Sequence, residues 1–411
     1  MIKKIWFFVV LAFVLRVASI FILKQHIRPD VWEYDTIALN LLSGKGYTYP
    51  YLSNDCFFFG YPFYAYFSAA IHFITNRNYL ILEIIQALIA AFSVIPLIYV
   101  AKAVFSHKTA MIVGLLYCFH PGLIVYTGKI HELTLVISFT LILSHLIIYH
   151  ESRKWHLIGI GLLTGFGILL RPTFLFFIPA FFIYLIFKRI GIKKALLNLL
   201  IVTLLTIVVI SPWVYRGYKI YNRFIFITTT SGVNFWMGNN LNSSGSALTR
   251  DNKPVFLTAD EAFRARALSL GEVEQSHFFK DEAVKYIKAN PSIFFKRTTE
   301  KFIYFWTFSP QTGIEYLKSW LIIYKILYYF LAVFFISGLY FIFRNYLYVN
   351  MPAVIFLFSF FLTISIVHSL YYIDIRYRWI IEPLLMVFSS YGVVCLAQLF
   401  RCVKIGGQNA S

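Results

Sequence analysis

Acid is what this chain is shortest of. Its 411 residues hold 18 Asp and Glu against 37 Lys and Arg, and charged residues of both signs make up only 13%. Cysteine is also scarce, with four in all. Cys118 and Cys395 fall in apolar runs, Cys402 lies near the C-terminal end, and Cys56 stands alone in a polar stretch. That pattern offers neither a disulfide framework nor zinc-ligand spacing. No Gly-rich phosphate loop is present, and there is no internal repeat or low-complexity tract. The basic segments between apolar runs are too short to hold a nucleotide-binding domain. These absences exclude a disulfide-stapled secreted domain, a zinc module and a P-loop enzyme.

What the chain has is hydrocarbon. It is 59% hydrophobic with a mean hydropathy of +0.71, whereas soluble domains are about 45–50% apolar. An α-helical polytopic membrane protein follows. The formal charge of +19 then has an explanation that needs no nucleic acid, because cytoplasmic loops of membrane proteins carry excess Lys and Arg. Aromatic content of 20% suits interfacial belts and also sugar stacking. Met1-Ile2-Lys3-Lys4 runs into an apolar segment that looks like a signal peptide. No small-x-small cleavage site follows and Arg16 interrupts the run, so it reads as an uncleaved anchor.

Spans of about 20 apolar residues are expected at 5–23, 79–104, 109–126, 132–149, 157–170, 173–187, 195–213, 319–343, 351–371 and 379–400. The stretch 60–74 opens with Gly-Tyr-Pro and is short. If it lies at the interface rather than crossing, Lys3, Lys4, Lys102, Lys108, Arg153, Lys154, Lys188, Arg189, Lys193, Lys194, Arg344, Arg401 and Lys404 all fall on one side, which the positive-inside rule makes the cytoplasm. Both termini are then cytoplasmic. The polar loops 25–78, 127–131, 171–172, 215–318 and 372–378 gather on the other face. Three parts result: a membrane module at 1–215 whose first outer loop is 24–78, a small cap at 216–318, and C-terminal membrane helices at 319–411. In the cap, 228–240 reads as a turn-rich loop with strand-like runs. Helices are expected at 259–270, 274–289 and 291–306, the first opened by a Thr258/Glu261 capping box.

Chemistry concentrates in the outer loops. Asp30, Glu33 and Asp35 crowd a short helix beside hydrocarbon, where ionised groups are costly to keep without use. A carboxylate there can take the proton of an attacking hydroxyl or amine. Asp30 with Glu33 also forms a capping box, which is sufficient structural reason for the pair. Asp30 ranks first as base and Asp35 second. Glu132 opens a span, where an acid suits the helix dipole, yet topology brings it to the face of Asp30 and the two acids could divide the work. Tyr34 and His131 adjoin these acids and are weaker substrate-binding candidates. Arg171, Arg376 and Arg378 lie outside, against the charge rule, and a guanidinium can grip a phosphate with two bonds. A single such Arg is more often a snorkelling side chain; three across two separate loops are harder to dismiss. No His, Cys and acid spacing on these helices makes a metal site.

The pattern Pro-Asp-x-x-x-Tyr-x-x-x-Ala-x-x-Leu-Leu-x-Gly-x-Gly-Tyr at 29–47, followed by Gly60-Tyr61-Pro62, resembles the GT-C glycosyltransferases. More narrowly it is similar to the bacterial branch related to protein O-mannosyltransferases (dolichyl-phosphate-mannose-protein mannosyltransferases) and lipid A aminoarabinose transferase. His120-Pro121 through Glu132, Arg171-Pro172, Gly238-Asn239-Asn240 with Gly245, Ala289-Asn290-Pro291, and Arg376-Tyr377-Arg378 before Glu382-Pro383 extend the resemblance over most of the chain. It implies a GT-C bundle of about ten membrane helices with outer interfacial helices and a small cap. It further implies a polyprenyl-phosphate-sugar donor, an extracytoplasmic acceptor that is a lipid, cell-surface glycan or protein, and inversion at the anomeric carbon. Asp30 would be the base, Glu132 its support, and Arg171 with Arg376 or Arg378 the donor-phosphate cations. The implied setting is a bacterial plasma (inner) membrane with the active site on the extracytoplasmic face. No cofactor is called for, and a divalent metal stays open. A departure is Ser53-Asn54-Asp55-Cys56-Phe57-Phe58-Phe59, where related chains often carry another proline. Two rivals stand beside this: a flippase or transporter of lipid-linked glycans, which calls for charged residues deep in spans, and an O-antigen ligase or polymerase with a pyrophosphate-linked donor.

Overall fold

The computed structural model describes residues 2–52, 54–150, 154–312 and 316–408. Arg153 and Ser53 lie outside the described residues, as do the side chains of Lys3, Arg401 and Lys404. Among the described residues six helices are long and apolar enough to cross a membrane: Lys4–Ile22, Tyr79–Val104, Ile192–Tyr221, Lys318–Arg344, Met351–Leu370 and Glu382–Phe400. Four shorter apolar helices, His107–Phe119, Leu133–Ile148, Lys154–Leu170 and Pro172–Phe187, fill the other expected positions. The outward faces remain apolar. Leu196, Leu200, Leu204 and Val208 repeat every turn along Ile192–Tyr221 and are all exposed, a stripe that water would not tolerate and lipid would.

Helices approach closely where side chains vanish. Gly338 and Gly392 face each other between Lys318–Arg344 and the last helix, and a Cβ on Gly392 would sit 2.2 Å from the Phe334 carbonyl oxygen. Small residues at such crossings let backbones pack in a setting without a hydrophobic driving force.

Several expected boundaries move, each for a local reason. The span expected at 109–126 stops at Phe119. Pro121 has no N–H to continue the ladder, and the His120 ring caps a separate short helix, Pro121–Tyr126, by accepting from Leu123 N–H (3.1 Å). The final span starts at Glu382 because Ile375–Trp379 forms its own turn, capped by Asp374. The expected capping box at Thr258 gives way to Asp260, whose carboxylate accepts from Phe263 N–H at 2.8 Å. Asp30 and Glu33 form no capping box either: the residue preceding Glu33–Leu42 is Trp32, with no side-chain cap. The stretch 228–240 is helical over Ser231–Gly238 rather than strand-like. A short antiparallel hairpin, Tyr49–Tyr51 with Asn54–Cys56, stands in the first loop. Pro62–Thr75 is the helix that Gly-Tyr-Pro opens.

The bundle has two unlike ends. At one, Asn350 binds the carbonyls of Ala103 and Val104 (3.3 and 3.2 Å), and Tyr149 reaches Tyr99 O (3.2 Å), while Lys188 donates to His150 O. The loops of Lys102, Lys108, Lys188 and Arg344 therefore cluster. At the other end meet the first loop, the 127–132 loop, Arg171, the 371–378 segment and the cap. Arg16 and Glu83 break this sorting, the latter fully buried within Tyr79–Val104 with both carboxylate oxygens unpartnered among the described residues. Arg16 is fully buried within Lys4–Ile22, bonded among the described residues to Ala12 O (3.0 Å) and set over the Tyr117 ring, with Nε and Nη2 unpartnered there.

Candidate active site

Five separate pieces of chain build one polar cavity of about 120 Å³ at the second end. The first loop contributes Trp32, Glu33 and Tyr34 from the start of Glu33–Leu42, plus Phe59, Gly60 and Tyr61. Ile130 N–H donates to Asp30 O (3.1 Å) in a parallel bridge that locks the first loop to the second. The second loop thereby delivers His131 and Glu132. Arg171 comes from the break between two helices, Thr230 and Asn234 from the cap helix Ser231–Gly238, and Tyr372, Arg376 and Tyr377 from the segment before the last span. Gly60 is placed at φ +71, and a Cβ there would lie 3.3 Å from the Tyr34 ring, so the loop needs glycine twice over.

The ionised groups are mutually arranged. Arg376 grips Asp374 through Nε (3.0 Å) and Nη2 (2.9 Å), gives Nη1 to the Tyr126 hydroxyl (3.1 Å), and lies over the Trp32 ring at 4.5 Å. Burial pushes the Asp374 carboxyl up, but the Arg376 guanidinium more than reverses this and holds it low. Arg171 Nη1 stands 3.5 Å from Glu132 Oε1, with its guanidinium over Tyr377 at 4.7 Å. Glu132 is 3% exposed. Burial raises its carboxyl, yet the His131 ring and Arg171 outweigh that and keep it below the usual carboxylate range. Burial also lowers the His131 imidazole, against the pull of the Glu132 carboxylate. His131 Nδ1 is 2.8 Å from Glu132 Oε2, but that nitrogen already accepts from Leu133 N–H (3.2 Å). The contact lacks hydrogen-bond geometry, and Oε2 is left without a donor. The Trp32 indole N–H is likewise unpartnered.

Glu33 differs from its neighbours. Burial, then the negative charge of Glu132, pushes its carboxyl up to about 7. Two carboxylates in one cavity are thus driven to opposite protonation behaviour, which is how a site separates acid–base work from charge stabilisation.

The structure brings together Tyr34, His131, Glu132, Arg171 and Arg376 from among the residues singled out in the sequence, and leaves three outside. Asp30 is absent from the cavity wall; its carboxylate is 47% exposed and pairs with Lys129 Nζ at 2.6 Å. Asp35 is buried behind the wall, accepting from Tyr79 (2.8 Å) and bonded to His72 Nε2 (3.0 Å), where it fastens Pro62–Thr75 to the next helix. Arg378 turns away. Its guanidinium is consumed by Glu382 (2.7 Å), Tyr324 (2.9 Å) and the carbonyls of Phe305 and Thr307 (2.9 and 2.6 Å). Sequence reasoning passed over Tyr61, Thr230, Asn234 and Tyr377, and ranked Glu33 below Asp30. The usable signals were Glu33 adjoining Tyr34, and Asp374 two residues before Arg376. Among the described residues no group of three or more His, Cys, Asp or Glu is placed to hold a metal ion.

The helical bundle with this outer-loop cavity has the fold of the GT-C membrane glycosyltransferases. Residues 61–215 match the family described as dolichyl-phosphate-mannose-protein mannosyltransferase. The fold likeness is carried by the oligosaccharyltransferase AglB of Archaeoglobus fulgidus in complex with an inhibitory peptide and a dolichol-phosphate: 12% identity, TM-score 0.57, over 98% of this chain and 52% of that one. The same archaeal enzyme tethered to an acceptor peptide aligns with 11% identity and TM-score 0.58, over 97% and 50%. This chain therefore spans about half the length of AglB. ArnT from Cupriavidus metallidurans bound to undecaprenyl phosphate aligns over 94% of this chain and 77% of its own, at 12% identity and TM-score 0.45. No curated protein sequence matches.

Proposed function

We propose that this protein transfers a sugar from a polyprenyl-phosphate-linked donor to an acceptor on the extracytoplasmic face of a bacterial plasma membrane, with inversion. The observation that carries the proposal is the single cavity uniting Glu33, whose carboxyl is pushed up to about 7, with Glu132, Arg171 and Arg376. The AglB complex with a dolichol-phosphate supports the donor class. In the proposed step the acceptor oxygen bonds to the anomeric carbon as the carbon–oxygen bond to phosphate breaks. The phosphate leaves with the bonding pair, and the acceptor proton passes to Glu33. Arg376 and Arg171, held in place by Asp374 and Glu132, present their remaining N–H groups to the charge developing on the phosphate. Glu33 takes the base role first considered for Asp30, because Asp30 already serves Lys129 outside the cavity. The clustered basic loops at the opposite end support a cytoplasmic position for that end.

The test is release of free polyprenyl phosphate from polyprenyl-phosphate sugars by the full chain in lipid nanodiscs. Glu33→Gln and Arg376→Ala should lose release while Asp30→Asn keeps most of it. Loss in Asp30→Asn with Glu33→Gln active would return the base to Asp30. Arg16 and Glu83, buried within spans with unpartnered polar atoms, favour a flippase. Movement of lipid-linked sugar across sealed vesicles without any release would decide for that.

A further inference from the structure

The charges of the cavity are matched in pairs, Arg376 with Asp374 and Arg171 with Glu132. The wall left to meet an uncharged part of a ligand includes Trp32, Tyr61, Thr230, Asn234 and Tyr372. Two of these come from the cap rather than the membrane loops. The cap helix Ser231–Gly238 is firmly seated. A Cβ on Gly232 would stand 2.0 Å from Ser276 O, and one on Gly238 would stand 1.8 Å from Tyr371 O, so backbone packs on backbone at both ends. Trp236 is stacked on Phe263 at 5.0 Å. Just before the helix, the Thr229 hydroxyl donates to Glu272 (2.6 Å), which also accepts from the N–H groups of Phe57 and Phe58 (2.6 and 2.9 Å).

Within this frame the asparagines are used unequally. Asn239 donates to Phe235 O and Leu370 O (2.9 and 2.8 Å), and Asn240 to Trp236 O (2.7 Å). These two build the fold. Asn234 N–H closes on Thr230 O (3.0 Å), but its carboxamide enters no hydrogen bond among the described residues and lines the cavity. Thr230 is occupied by the Thr228 hydroxyl at 2.9 Å. A carboxamide offers two donors and an acceptor, the complement of a sugar hydroxyl that both gives and receives. We propose that Asn234 is a specificity-determining residue, hydrogen-bonding a ring hydroxyl of a neutral donor sugar from the cap side while the arginines hold the phosphate. The assignment rests on the donor reading above.

A group built to bond a hydroxyl discriminates against the analogue lacking it, and one neutral hydrogen bond with its desolvation is worth about 10- to 100-fold. The experiment measures kcat/KM for polyprenyl phosphate release by the full chain in nanodiscs. Donors are undecaprenyl phosphate linked to mannose, glucose or galactose, and their singly deoxygenated analogues. Wild type should prefer one hydroxylated donor over one deoxy analogue by about 10- to 100-fold. Asn234→Ala should lose that factor on the hydroxylated donor, keep its rate on the deoxy analogue, and unfold at an unchanged temperature, because its side chain holds nothing in the fold. Asn234→Asp should restore part of the preference if the hydroxyl is donated to the site. An unchanged preference in Asn234→Ala overturns the assignment while leaving the donor reading intact. Failure of wild type to turn over any donor overturns both.

Discussion

At the residue scale, the decisive contrast is between Glu33 and Asp30, three positions apart and differently housed. A base is most effective when its pKa lies near the working pH, and Glu33 is raised to about 7. Glu33→Gln should therefore lower release by about 10²- to 10⁴-fold, and wild-type turnover should climb with pH through about 7 and level above it. A flat profile between pH 5 and 8 would remove Glu33 from the base role. The same shift has a stability sign. A carboxyl raised on folding costs nothing below its unfolded pKa and costs most above its folded one. Glu33→Gln should thus stabilise the protein at pH 8 by on the order of 3 kcal/mol and leave it unchanged at pH 4, read as the thermal midpoint in one detergent. Asp30→Asn breaks only a half-exposed pair with Lys129, worth about 0–1 kcal/mol.

At the scale of elements, the site depends on how the cap holds the 370–377 segment. Lys301, on the helix Pro291–Trp306, is buried and donates to Tyr371 O (2.7 Å), Asn239 Oδ1 (3.2 Å) and Gly238 O (3.3 Å). Ile373 N–H closes the same clasp on Gly245 O at 2.9 Å. Tyr372, Arg376 and Tyr377 reach the cavity from this clasped segment. Lys301→Met would strand three acceptors at about 1–3 kcal/mol each and let the segment shift. Turnover should fall about 10-fold or more with Asn234 and Glu33 untouched, whereas wild-type turnover in that variant would make the clasp ornamental. Such dependence explains what could be read in the chain beforehand. The spans, the Gly-Tyr-Pro helix and the outer-loop clustering were legible because hydropathy and proline speak locally. Glu132, Arg171 and Arg376 were legible because charge beside hydrocarbon is conspicuous. The fate of Asp30 was not, because its partner Lys129 is distant in sequence and only the Asp30–Ile130 bridge brings them together. Arg378 and Arg376 look alike in a chain of letters, yet they point to opposite sides of one short helix. The cap helix Ser231–Gly238 was hidden by Thr, Ser, Gly and Asn, whose turn preference is overridden by packing on Trp236 and Gly232.

At the scale of the molecule, one bundle presents two chemically opposed ends across an apolar belt. The end with short basic loops suits a cytoplasmic surface, and the end with paired charges, tyrosines and the cap suits a reaction sheltered from cytoplasmic nucleotides. The orientation expected from this charge distribution can be checked without knowing the substrate. Cys56, Cys118 and Cys395 are buried, so replacing Cys402 by serine leaves a background poor in accessible thiols. Asp251→Cys places a thiol on an exposed turn of the cap, and Lys108→Cys and Lys193→Cys place thiols on exposed positions at the basic end. A membrane-impermeant maleimide applied to sealed cells should label Asp251→Cys at once. It should reach Lys108→Cys and Lys193→Cys only after permeabilisation. The reverse pattern would put the Glu33 cavity in the cytoplasm, where the Lys and Arg excess would lie on the wrong side. Labelling of both ends from outside would mean that the basic loops do not share a face, and the positive-inside argument would fail with them.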